Sequence, residues 1–244
     1  MIRVAAVGDI HLDAKGAGSL RPHLENLSDR ADVLLIAGDL TRRGTREEAE
    51  VVADELGDVG LPVIAVLGNH DHHSDDVPGV RGALEGAGIR VLDGDTEVID
   101  VDGCSVGVAG VKGFGVGFAG ASAADFGEPI ARAYFGHARD EAGRLQDALE
   151  ALDGEVDCRV ALLHYAPVPE TLTGEPPGIW AFLGSYLLGE AVDRGGADLA
   201  VHGHAHRGQE KGTTPGGIPV RNVALPVIRS AYYVYRVGDG RRAG

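Results

Sequence analysis

Ile2-Arg3-Val4-Ala5-Ala6-Val7-Gly8-Asp9-Ile10-His11 opens the chain, and its reading decides the fold: an apolar β-type run closes on a carboxylate and an imidazole. The same event recurs downstream. Residues 33–37 run into Gly38-Asp39, 63–67 into Gly68-Asn69-His70-Asp71, 160–163 into His164, and 199–201 into His202-Gly203-His204-Ala205-His206. Runs of this length, rich in Val, Ile and Leu and without polar alternation, suit strands covered on both faces. Helical patterns lie between them. Thr45 and Glu48 have capping-box spacing, followed by Ala49, Val52, Ala53 and Leu56 on one face. A second helix is expected over 129–152, with Ile130, Tyr134, Leu145, Leu149 and Leu152 as its apolar stripe, and a third over 183–192. Strands without intervening helices are expected at 96–100, 104–108, 218–222 and 231–237, so the sheets are mixed.

Alternating strand and helix imply α/β layering, in which sites gather at the carboxyl ends of strands. The five polar clusters therefore converge on one edge. Their candidate ligands are Asp9, His11, Asp39, Asn69, His164, His204 and His206. Seven ligands exceed what one ion takes, and two ions sharing a carboxylate accommodate them. An oxygen and nitrogen set without thiolate suits manganese, iron or zinc. Such ion pairs activate water and clamp the attacking and leaving oxygens of a displacement at phosphorus. The reaction expected is phosphoester hydrolysis.

The ordered series Asp9-x-His11, Gly38-Asp39-(x)4-Gly44, Gly68-Asn69-His70-Asp71, His164 and Gly203-His204-x-His206 resembles the calcineurin-like metallophosphoesterase family. The resemblance implies a four-layer sandwich, two β-sheets face to face with helices outside, over a domain spanning 1–237 with a frayed tail at 238–244. It implies that Asp9, His11 and His206 hold one metal, Asn69, His164 and His204 the second, and that Asp39 bridges them. The nucleophile would be a hydroxide activated by that pair. His70, oriented by Asp71, would act on the leaving oxygen as a general acid or charge stabiliser.

Other signals weigh less. The protein-phosphatase branch of this family carries Gly-Asp-x-x-Asp-Arg-Gly, whose arginine meets the phosphate. Arg43 occupies that spacing, but Arg42 stands where the branch has Asp, leaving Arg43 open to substrate contact or to a surface role. Trp180 lies in a proline-containing connection, 165–182, which should border the metal edge; it shapes substrate choice, or packs on the body or at a homodimer contact. His202 precedes its signature and reads as a packing or supporting residue, His72 and His73 as solvated, and His23 and His137 as unconnected to the site. Gly115-x-Gly117-x-x-Gly120 mimics a dinucleotide fingerprint, yet no convincing helix follows it, and the reading is rejected.

Composition bounds the partners. The formal charge of −15, from 22 Lys and Arg against 37 Asp and Glu, disfavours a nuclease or other nucleic-acid partner and a polybasic membrane anchor. Two cysteines make neither a disulfide framework nor a thiolate zinc site. No apolar stretch spans a membrane and the N-terminus is unlike a signal peptide, so a cytoplasmic protein is expected. The broken arginine pattern favours phosphodiesters or small phosphorylated metabolites over phosphoproteins. A phosphomonoesterase or protein phosphatase is the alternative, and a scaffold without activity is disfavoured because all seven ligand positions are intact.

Overall fold

The computed structural model describes residues 1–238; the expected tail, apart from Gly238, lies outside them. Along these residues run β1 (Ile2–Val7), β2 (Val33–Ala37), β3 (Val63–Val66), β4 (Arg90–Leu92), β5 (Asp95–Val101), β6 (Cys104–Val111), β7 (Gly117–Phe118), β8 (Ala121–Ser122), β9 (Cys158–Leu163), β10 (Leu199–His202), β11 (Lys211–Thr213), β12 (Pro219–Asn222) and β13 (Tyr233–Val237). The helices are α1 (Arg46–Leu56), α2 (Val77–Gly86), α3 (Pro129–Ala151), α4 (Trp180–Leu183), α5 (Tyr186–Gly195) and α6 (Leu225–Ile228). One sheet has the order β13-β1-β2-β3-β4, the other β11-β12-β10-β9-β6-β5, and β7 and β8 form a small hairpin. Within the first sheet β1 to β4 run parallel and β13 antiparallel. Both sheets are mixed, as expected.

Strand alternation builds the layers. In β2, Val33, Leu35 and Ala37 point between the sheets and meet Val106, Val160 and Val201 of the opposite sheet. Leu34 and Ile36, half a pleat away, meet Ala49, Val52 and Leu56 of α1 and Val80 and Leu84 of α2. On the far side Ala109, Ala161 and Ala200 receive Leu145 and Leu149 of α3 and Leu188 and Val192 of α5. The result is helix, sheet, sheet, helix. No described helix is long and apolar enough to cross a membrane.

Three local expectations are corrected. Ile130 is 81% exposed, because the buried face of α3 begins only at Ala138 and its first turns overhang the body. The helix expected over 183–192 is interrupted: Leu183 ends α4, Gly184 is extended, and Ser185 caps α5 by accepting from the Leu187 amide at 3.1 Å. The connection after His164 is not structureless, since it carries 3-10 turns at Glu170–Leu172 and Pro177–Ile179 before α4.

Candidate metal centre

Loops after β1 and β2 are laced together before any side chain is considered. The Asp9 amide donates to the Gly38 carbonyl (2.9 Å), that of His11 to the Asp39 carbonyl (3.0 Å), and that of Leu12 to the Leu40 carbonyl (2.9 Å). Asp9, His11, Asp39 and His204 all have positive φ, 57°, 44°, 51° and 68°. Non-glycine residues in this region cost energy, and such strain concentrates where a site needs side chains aimed in one direction. Gly38, at φ 81°, serves the same end: a Cβ there would overlap the His164 ring. β1, β2 and β3 of one sheet and β9 and β10 of the other deliver their ends to a common edge.

Two groups of side chains meet there. Asp9, His11, Asp39 and His206 form one, and Asp39, His164 and His204 the other; within each, ligand-capable atoms lie within 4.8 Å of one another. Asp39 belongs to both. His11 Nε2 is 3.7 Å from Asp39 Oδ2, His164 Nε2 is 3.4 Å from Asp39 Oδ1, and His206 Nε2 is 2.8 Å from Asp9 Oδ1. Asn69 joins through Oδ1, 2.9 Å from His164 Nε2.

Hydrogen bonds assign the neutral tautomers. His164 Nδ1 faces the Ala37 carbonyl at 2.9 Å and must donate to it, which leaves Nε2 as a lone pair turned toward Asn69 Oδ1 and Asp39 Oδ1. His204 has the opposite arrangement, with Nε2 donating to the Phe182 carbonyl at 3.2 Å and Nδ1 left as acceptor. In the tautomer assigned to His164, its Nε2 and Asn69 Oδ1 are two acceptors 2.9 Å apart, which repel one another unless a cation lies between them, and backbone carbonyls that fix imidazole tautomers are the usual outer support of metal ligands. The residues present therefore fit a metal pair.

Electrostatics agree with that fit. Burial pushes the Asp9 carboxyl up, yet the His206 hydrogen bond and neighbouring imidazoles outweigh it and hold Asp9 below the usual carboxylate range. Burial lowers His204 to about 3, and lowers His11 against the opposing pull of Asp39 and Asp9. His206 is raised by its hydrogen bond to Asp9. The neutral His11 and His204 beside an ionised Asp9 are the ligand forms a cation requires, and His206 would exchange its proton for the cation on binding.

His70 stands at the rim. Its amide donates to Asp39 Oδ1 (2.8 Å), its ring meets His11 edge-on at 4.5 Å, and Nδ1 donates to the Arg42 carbonyl (2.8 Å). Here the expectation that Asp71 orients His70 is corrected. The Asp71 carboxylate is fully buried and accepts from the amides of Leu40 (3.2 Å), Thr41 (2.8 Å) and Gly68 (2.8 Å) and from the Thr41 hydroxyl (2.6 Å). Its lone pairs are spent tying the β2 and β3 loops together. Burial and the nearby Asp39 raise its pKa.

Arg43 and Trp180 are not drawn into these groups. Arg43 is exposed, and its amide donates to Glu48 Oε2 (2.6 Å) at the start of α1. Trp180 is half-buried, packs with Phe118, Ala166, Leu172, Leu183 and Ala205, and donates from Nε1 to the Glu175 carbonyl (3.1 Å). The 165–182 connection does border the edge, through the Phe182 carbonyl on His204. His202 is fully buried with Nε2 on the Thr171 hydroxyl (2.9 Å), and burial lowers it to about 4. His137 meets Phe114 edge-on, with ring centroids 4.7 Å apart. Gly117 lies in the β7-β8 hairpin, and no helix follows Gly120 directly.

Lys112 was missed. It follows β6, whose Val111 is in register with Leu163, so it lies beside His164 and its carbonyl accepts the His164 amide at 3.1 Å. Its Nζ lies 5.2 and 5.3 Å from the ring centroids of Phe114 and Tyr165 and donates to the Gly113 carbonyl (3.0 Å). The rule that polar residues after apolar runs gather at one edge was sufficient to find it.

A two-sheet sandwich whose strand ends converge on one shared carboxylate is the metallophosphoesterase class of fold. The profile described as calcineurin-like phosphoesterase matches residues 2–208, and the chain belongs to that family. A probable cyclic nucleotide phosphodiesterase of Synechococcus sp. is 32% identical over 80 residues, 29% of this chain and 31% of that protein. A probable glycerophosphodiester phosphodiesterase of Arcobacter nitrofigilis is 27% identical over 81 residues, 28% of this chain and 30% of that protein. The chain thus matches less than a third of the length of these relatives. Among solved structures, phosphopantetheinyl hydrolase from Mycobacterium tuberculosis superposes with a TM-score of 0.68 at 16% identity, covering 99% of this chain and 97% of that one. A putative 5'-nucleotidase from Staphylococcus aureus has a TM-score of 0.58 at 18% identity, covering 91% and 48%. These two likenesses bear on fold.

Proposed function

We propose that the protein hydrolyses phosphodiesters or small phosphorylated metabolites at a dinuclear centre of manganese, iron or zinc. The observation that carries this reading is Asp39, one carboxylate shared by two ligand groups. Asp9, His11 and His206 would complete one metal position, and Asn69, His164 and His204 the other. The pair, when bound, supplies Lewis acidity toward the phosphoryl oxygens and lowers the pKa of water. Around it the protein's own groups position and protonate. Asn69, fixed against His164, presents its amide to the phosphoryl group. His70 is anchored through Nδ1, so its imidazolium form directs the Nε2 proton outward over Asp39, where the departing alkoxide forms. As hydrolysis proceeds, the P–O bond to water forms as that water gives up a proton to solvent, the P–O bond to the alcohol breaks, and His70 supplies the alcohol's proton and recovers one from solvent.

Preference for diesters draws support from Arg43, which is exposed and absent from both ligand groups, and from the matched relatives being named as probable phosphodiesterases. Free Cys104 and Cys158 fit a reducing compartment such as the cytoplasm. The test pairs elemental analysis of the purified protein with a manganese-supplemented assay on bis(p-nitrophenyl) phosphate and p-nitrophenyl phosphate. Bound transition metal with faster diester cleavage is expected. Protein free of metal and inert on both esters would overturn the reading.

A further inference from the structure

A cleft of about 640 Å³ opens beside the metal edge, between the β1 loop and α6. Its floor includes Ile10, Leu12, Leu20 and Tyr232, and its rim carries Arg30 and Arg229. None of its lining residues is acidic. It shares Ile10, Leu12 and Ser19 with a second groove that holds His11, Lys15 and Arg42, so the two form one passage from the candidate metal centre outward. Asp13 is the carboxylate lining that passage, and Arg42 pairs with it at 3.0 Å.

The charge of this passage opposes that of the molecule. In a chain with 37 carboxylates against 22 cations, Lys15, Arg30, Arg42 and Arg229 line one connected surface. Among the described residues, the side chains of Arg30 and Arg229 have no hydrogen-bond or ion-pair partner, whereas Lys15 and Arg42 both act on Asp13. Arginines without a partner in a cleft whose lining has no carboxylate present the bidentate donors that suit a phosphate. Arg229 is also held in place: it is left-handed (φ 52°) at the end of α6, its amide donates to the Leu225 carbonyl, and the Leu225 amide donates to the Gly8 carbonyl (2.9 Å). The strand that delivers Asp9 thus also positions Arg229.

We propose that this cleft is a subsite for a second phosphate. The substrate is then a phosphodiester whose scissile group meets Asp39 and its partners while its retained half, an organic body of nucleoside size, lies on Ile10, Leu225 and Tyr232. A free phosphate on that body meets Arg30 and Arg229. The volume is that of a small-molecule site, and the apolar floor between the cations suits a carbon skeleton rather than a continuous polyanion. The inference rests on the phosphodiesterase reading above.

The test uses two p-nitrophenyl diesters of thymidine 5'-phosphate that differ only in a free 3'-phosphate, with manganese-loaded protein. Two arginine contacts predict a kcat/KM at least about tenfold higher for the 3'-phosphorylated diester, expressed in KM. In Arg30→Ala/Arg229→Ala that preference falls toward one, and Arg30→Lys/Arg229→Lys restores part of it. Equal kcat/KM for the two diesters in the native protein overturns the subsite. If neither diester is cleaved, the hydrolytic reading fails, and calorimetry with thymidine 3',5'-bisphosphate still decides the cleft. Binding lost in the double alanine variant supports it, whereas no binding overturns it. A single-stranded oligonucleotide that displaces the bisphosphate at lower concentration also overturns it, in favour of a polyanion track.

Discussion

Histidines on the two sides of Asp39 differ in burial, His164 on one side from His11 and His206 on the other. His164 is fully enclosed, with its ring against Gly38 and its Nδ1 on the Ala37 carbonyl of the neighbouring sheet. His11 and His206 keep 20% and 40% of their side chains exposed. The inner histidine is therefore part of the core as well as a candidate ligand, while His11, whose nearest carboxylate oxygen is 3.7 Å away, contributes little to the fold. The difference teaches that stability and metal binding are separable at His11 and inseparable at His164.

The largest effect is expected where the comparison vanishes. Asp39→Ala removes the oxygen common to both groups, so elemental analysis should show both metals depleted and turnover reduced beyond the roughly 10- to 100-fold cost of altering an outer support. Loss of only one metal would break the shared-carboxylate reading. Next comes His70→Ala, which should retain metal and lower turnover by about 100- to 10,000-fold, the range of general acid-base catalysis. Undiminished turnover would remove His70 from the mechanism.

The third test compares inner and outer directly, in chelated protein. His164→Ala opens a cavity and leaves the Ala37 carbonyl without its donor, a change worth about 2–4 kcal/mol. At this chain length that lowers Tm by about 5–15 °C. His11→Ala removes a side chain 3.7 Å from its nearest carboxylate oxygen, costs about 1 kcal/mol and should move Tm by no more than about 4 °C. Equal shifts would erase the distinction between the two sides.

Much of this arrangement was legible in the sequence, for a physical reason. Each of the five strands that reach the site ends in an apolar run and the ligands follow it, so topology and site are written in one signal. What escaped was written otherwise. α2 begins with Asp76, whose carboxylate accepts from the Gly79 amide (3.1 Å), but Gly79, Gly82 and Gly86 dilute its helical pattern. β4 is three residues long and offers no periodicity. The overhang of α3 depends on where the opposing sheet ends, so Ile130 reads as core from its own helix alone. The support of His70 was misread because sequence adjacency to Asp71 is not contact: the carbonyl of Arg42, 28 residues earlier, reaches the ring instead. The basic cleft needed the fold, since Lys15, Arg30 and Arg229 are scattered along the chain.

The smallest effect is expected at Arg43, and it sharpens the contrast between Arg43 and its neighbour. Arg42 uses its carbonyl to hold His70 and its guanidinium to hold Asp13. Arg43 is exposed, and its recorded bonds are made by backbone: its amide donates to Glu48, and its carbonyl accepts from the Ser74 hydroxyl (2.7 Å). Substitution keeps both bonds, so Arg43→Ala should change kcat/KM for bis(p-nitrophenyl) phosphate by less than about twofold, within the scatter of surface substitutions. A phosphate-binding arginine would instead lose the roughly 1.5–3 kcal/mol of a charge-assisted contact, more than tenfold in rate. A loss of that size would return Arg43 to the substrate and reopen the protein-phosphatase alternative, because it would show that the altered residue at position 42 had not displaced its neighbour from the phosphate.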